Sequence, residues 1–98
     1  MTENAAMVER LSKVLGVSPE ELVRKGIEEF LQAQLRSCYA EIHEIKTRYD
    51  VKSGKELQKK IEGGSIAEHP AWEDLIVLEN LEERAQTIRK ELKALKHD

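Results

Sequence analysis

The stretch Leu35-Arg36-Ser37-Cys38-Tyr39-Ala40-Glu41-Ile42-His43-Glu44-Ile45-Lys46-Thr47-Arg48-Tyr49 decides the fold. Its apolar residues Leu35, Cys38, Ile42, Ile45 and Tyr49 recur at spacings of 3, 4, 3 and 4, which sets them on one stripe of an α-helix. A second stripe lies near the other end of the chain, where Leu81, Ala85, Ile88, Leu92 and Leu95 repeat at 4, 3, 4 and 3. Two helices with matching stripes, joined by a connection of roughly 20 residues, predict an antiparallel helical hairpin. Its seam is read as Leu35, Cys38, Ile42, Ile45, Leu81, Ile88 and Leu92.

Outward from the seam, the same helix is traced back to Ser18-Pro19-Glu20-Glu21. Ser18 can cap, Pro19 suits the first helical position and Glu21 completes a capping box, so a helix over 19–49 is expected. Its early apolar positions are Leu22, Val23, Ile27, Phe30 and Leu31, and the stripe changes phase near Phe30 and Leu31. That change predicts two different neighbours for the two halves of one helix. Gly26 lies inside it, either marking a close approach or tolerated on the surface. Ahead of it a short helix over 5–15 carries Val8, Leu11 and Val14/Leu15 and stops at Gly16. Beyond Asp50, Ser53-Gly54-Lys55-Glu56 forms a second capping box for a two-turn helix over 54–62, ended by Gly63-Gly64. Pro70 opens the last helix, 70–96, whose stripe also includes Ala71, Leu75 and Leu78. No segment alternates in the manner of a strand. The expectation is an all-α chain, one helical domain over 1–98, assembled as a dimeric helical bundle.

Ninety-eight residues leave room for one small domain, and 16 Lys+Arg against 19 Asp+Glu give a net charge of -3. No overall positive field draws such a chain to nucleic acid or an anionic membrane. No apolar run nears the roughly 20 residues of a membrane span. Met1 to Met7 has neither the basic start nor the apolar middle of a secretory signal, and the single cysteine, Cys38, suits a reducing compartment. The cytoplasm is the expected location.

The residues that could carry chemistry do not form a familiar set. The positions three before His43, His69 and His97 are Ala40, Ile66 and Ala94, so the Glu-x-x-His pairs of a di-iron bundle are missing. His43 is read as a surface residue, His69 as a neighbour of the last helix's start and His97 as part of the chain's end. Glu41/Glu44 and Glu79/Glu82 are spaced like the carboxylates with which all-helical nucleotide pyrophosphohydrolases hold Mg²⁺. With Ile42, Ile45, Leu78 and Leu81 inward, however, none of the four is central, and a solvated face is the favoured reading. Cys38 lies on the seam as a small hydrophobe, Gly63-Gly64 lacks the strand and Lys-Ser/Thr of a phosphate loop, and Trp72 and the tyrosines read as packing residues. Lys52, Lys55, Lys59 and Lys60 are a charged helix face interrupted by Glu56. No catalytic residue, cofactor or metal ligand is assigned.

The run Val8-Glu9-Arg10-Leu11-Ser12-Lys13-Val14-Leu15-Gly16-Val17-Ser18-Pro19-Glu20-Glu21-Leu22-Val23-Arg24-Lys25-Gly26-Ile27-Glu28-Glu29-Phe30-Leu31 resembles the helix pair of ribbon-helix-helix proteins, small dimeric repressors common among prokaryotic antitoxins. It covers about a quarter of the chain. The resemblance implies an intertwined dimer core built from Leu11, Leu15, Leu22, Val23, Ile27, Phe30 and Leu31. That family reads the major groove with a β-ribbon ahead of the first helix. Met1 to Met7 has no Lys, no Arg and no alternation, and Glu20 and Glu21 stand where a phosphate would approach. The expected function is therefore a non-catalytic, homodimeric protein-binding module, read as the antitoxin of a toxin–antitoxin pair with a cognate toxin as partner. A DNA-binding repressor of ribbon-helix-helix type is the first alternative, and a metal-dependent nucleotide pyrophosphohydrolase-like enzyme the second.

Overall fold

A computed structural model describes residues 2–97, with side chains from Glu3 to Lys96. The chain is all α: α1 (Thr2–Leu15), α2 (Pro19–Tyr49), α3 (Gly54–Glu62) and α4 (Glu68–His97), with no strand among the described residues. The first helix starts at Thr2, a turn earlier than its first apolar residue suggests, because no breaker precedes Ala5. The last is extended to Glu68, yet His69 interrupts it at φ -112 and ψ 127. A residue before proline is driven out of the helical region, so the regular part of α4 begins at Pro70. The side chain of His97 lies outside the described residues.

Each boundary has a local cause. Ser18 is extended (φ -72, ψ 152) and its Oγ accepts the Glu21 N–H at 3.1 Å, satisfying a donor that α2 cannot pair internally. At the other end Asp50 turns left-handed (φ 53), and the Val51 N–H reaches back to the Lys46 carbonyl at 2.9 Å. Lys60 donates Nζ to the carbonyls of Tyr49 and Asp50 at 3.3 and 3.0 Å, a cation where the helix dipole is negative. Ser53 caps α3 by accepting the Glu56 N–H at 3.1 Å, and Glu56 Oε2 accepts the Lys52 N–H at 3.0 Å.

α2 and α4 pack as the hairpin, closed within one chain, with α3 laid against α4. The stripe of α2 supplies Cys38, Ile42 and Ile45 to the core, and α4 supplies Ala71, Leu75, Leu78, Ala85, Ile88 and Leu92. Leu35 and Leu81 are half-buried against it. The connection contributes Val51, Leu57 and Ile61, which sequence periodicity places only in part, since Val51 lies outside any helix. Leu57 and Leu78 are 0% exposed, each stabilising the fold by about 1.5–3 kcal/mol through burial. Gly54 is buried where α3 meets α4: a Cβ there would lie 3.5 Å from Leu75 Cδ1 and Glu82 Oε1. Trp72, read as a packing residue, is half-buried against the core. The molecule measures 61 × 26 × 20 Å. Its core occupies the hairpin and not the end formed by α1 and the start of α2.

Candidate protein-docking surface

That N-terminal end is built differently. The stripe of α2 from Val23 to Phe30 is rotated by roughly 60–80° from the buried stripe of Cys38 to Tyr49, counting 3.6 residues per turn. α4 covers the second stripe and leaves the first open. Val23, Ile27 and Phe30 are 45%, 47% and 64% exposed. α1 adds Met7, Leu11 and Val14 at spacings of 4 and 3, together with Leu15, all of them exposed. Among the described side chains of α1, Ser12 is the buried one, its Oγ bonded to the Glu9 carbonyl at 2.9 Å. Gly16, at φ +71, turns the chain between the helices, and the Val17 N–H closes on the Ser12 carbonyl at 3.0 Å.

The two helices and the last turns of α4 enclose an open groove of about 500 Å³, lined by Val8, Pro19, Glu20, Val23, Arg24, Ile27 and Leu95. A second groove of about 520 Å³ continues it over Asn4, Ala5, Val8 and Glu9. Arg24 Nη1 donates to the Leu95 carbonyl, tying the wall formed by α4 to the floor formed by α2. The cation sits where α4 leaves carbonyls without intrahelical partners. A mostly apolar trough between helices, with charge on its rim, can hold an amphipathic helix by anchors three or four residues apart.

Of the residues that the resemblance assigns to a dimer core, Leu11, Leu15, Val23, Ile27 and Phe30 are exposed on this end. Leu22 and Leu31 are half-buried, and Leu31 packs against the hairpin core of its own chain. Met7, Val8, Val14 and Leu95 join the surface from outside that set. The spacing of Met7, Leu11 and Val14 signals the first, whereas the approach of Leu95 depends on how the hairpin closes.

The chemistry-bearing residues sit elsewhere. Glu41 and Glu44 line one side of the hairpin with Arg48 and Asp74, and Glu82 lines a different groove with Tyr39, Lys46 and Arg89. Glu41 and Glu44 thus line a different groove from Glu82, Glu79 and Glu82 approach Gly54, and no group of three His, Cys, Asp or Glu among the described residues could hold a metal. Glu44 pairs with Arg48 at 3.6 Å and Glu82 with Lys46 at 3.8 Å. Asp74 accepts from Arg48 Nη1 at 3.0 Å and from the Tyr49 hydroxyl. Burial, and then the bond to Asp74, raises the Tyr49 phenol above its ordinary pKa of 10.0. Glu73 is held below the ordinary carboxylate value by its own backbone N–H and then by His69, whose Nδ1 lies 3.0 Å away. His43 approaches Thr47 Oγ1 at 3.5 Å on the exposed face. Cys38 is buried in the seam. No described helix is long and apolar enough to cross a membrane.

The chain is similar to a protein of Methanocaldococcus jannaschii, "Uncharacterized protein MJ0235", at 33% identity over 76 residues, which is 78% of this chain and 93% of the relative. No solved structure matches it. The model of the same family matches residues 1–98, and the chain therefore belongs to the Uncharacterized protein MJ0235 family.

Proposed function

We propose that this protein is a non-catalytic helical module that binds another protein through the apolar end formed by α1 and the start of α2. One observation carries the reading: Met7, Leu11, Val14, Leu15, Val23, Ile27 and Phe30, between 37 and 74% exposed, gather at one end of a molecule whose hairpin buries its own stripes. Exposed apolar side chains beside a groove lined by Val8, Val23, Ile27 and Leu95 support an interaction site at this end. The hairpin is then a rigid handle that holds the docking end in shape.

Its working context is proposed to be the cytoplasm, and its role that of an antitoxin, with the apolar helices of residues 8–31 engaging a cognate toxin. A ribbon-type DNA reader is the weaker reading, because Thr2 to Met7, which would stand where a ribbon lies, are helix. The test is recovery of proteins from source-cell extract on the immobilised full chain, beside a Val23→Lys/Phe30→Lys variant. One defined protein retained by the wild type and lost from the variant is the expected result. The same proteins on both, or none on either, would refute the reading, as would salt-sensitive binding to the chain's own promoter DNA with no protein recovered.

A further inference from the structure

A small groove of about 230 Å³ runs along one edge of the hairpin, lined by Tyr39, Ile42, Lys46, Glu82, Ala85 and Arg89. Side chains link its walls. Lys46 meets Glu82 at 3.8 Å, and the Arg89 guanidinium lies 5.9 Å over the Tyr39 ring and donates Nη1 to its hydroxyl. The steps from Tyr39 to Lys46 and from Glu82 to Arg89 are both two helical turns, so this edge keeps one antiparallel register. One turn further toward the end of α4, the same register sets Arg36 of α2 beside Lys93 of α4, both exposed.

Charge along this edge is not balanced. Glu82, the one carboxylate among the residues lining the groove, is turned to Lys46. Arg36, Arg89 and Lys93 have no acidic residue three or four places away on their own helices, and among the described residues they enter no ion pair. Arg89 and Lys93, four residues apart, instead repel each other. Lysines near the end of a helix answer its dipole, which accounts for Lys93 alone, because Arg36 lies inside α2 and Arg89 lies more than a turn before α4 ends. Glu28 and Glu29, about two turns before Arg36, close the stretch at its far end. On a chain of net charge -3, clustered cations without counter-charges favour a bound anion.

We infer that this edge binds an oligophosphate, a chain of two or three phosphoryl groups held by Arg36, Arg89 and Lys93. The Tyr39 hydroxyl accepts from Arg89 and keeps its own proton to donate to the ligand. The same contact fixes Arg89 before the ligand arrives, so its planar fork is in place for phosphoryl oxygens. A lone phosphate carries about 1.5 to 2 negative charges at pH 7, too few for three cations. An acidic peptide would need an apolar anchor, and the groove's Ile42 and Ala85 are buried in the hairpin core. The site is separate from the docking end, and neither reading depends on the other.

Calorimetric titration of the full chain with inorganic triphosphate, ATP and inorganic phosphate at low salt tests the inference. One triphosphate per chain is expected, with inorganic phosphate about tenfold weaker or more. Equal affinities for ATP and inorganic triphosphate would place recognition in the phosphoryl chain alone, and tighter ATP would add the nucleoside to the ligand. Arg36→Gln and Lys93→Gln replace exposed cations outside any ion pair, and each is expected to weaken triphosphate binding about tenfold with unchanged helicity. Lys55→Gln, on the exposed face of α3, should leave the affinity unchanged. No heat from triphosphate at about 1 mM, equal losses from Lys55→Gln and Lys93→Gln, or tighter binding of an oligonucleotide or a polyglutamate peptide would overturn it.

Discussion

Leu78 and Val14 are both apolar, both helical and both on stripes that the sequence shows, yet one is 0% and the other 74% exposed. Leu78→Ala is expected to cost about 2–5 kcal/mol, through lost transfer energy and the cavity left behind. Val14→Ala should change the stability of the isolated chain by no more than about 0.5 kcal/mol. Urea unfolding of the two variants at low concentration checks the contrast. Tyr49 gives a prediction in pH. Burial and the bond to Asp74 raise its phenol above 10.0, so the folded chain favours the protonated form. The contribution to stability is full below pH 10.0 and is lost as pH climbs through the raised folded-state value. Ultraviolet titration should show a late-ionising tyrosine in the wild type that is absent from Tyr49→Phe. A wild type without that late step would remove the Asp74 bond from the account.

At the scale of elements, the junction of α1 and α2 depends on a single turn. Gly16 sits at φ +71, where an L side chain is strained, so Gly16→Ala should destabilise the α1–α2 corner by about 1–2 kcal/mol. The loss should appear as faster amide exchange in α1 with the hairpin unchanged. Helix extents were legible in the sequence because caps and breakers are local: Ser18-Pro19 starts α2, Ser53 starts α3, and Gly63 ends it. The hairpin seam was legible because Cys38, Ile42, Ile45, Ile88 and Leu92 repeat with the helical period. Val51 and Gly54 were not, since their burial comes from α3 folding onto α4 and follows no period. Leu31 shows the other limit. It sits at the phase change of α2, where spacing alone cannot say whether α4 or another molecule covers a residue, and in the fold it turns to the hairpin core.

The whole molecule divides its labour along its 61 Å length. One part, α3 and α4 with the second half of α2, buries its apolar stripes within the chain. The other, α1 with the first half of α2, leaves them open. Local stability should follow burial, with the hairpin opening only on global unfolding and the N-terminal end opening more readily. Hydrogen exchange of the full chain tests this division most directly. The account predicts that amides from Met7 to Phe30 exchange quickly, while those from Cys38 to Ile45 and from Leu75 to Leu92 exchange slowly. Equal protection along all the helices would contradict it.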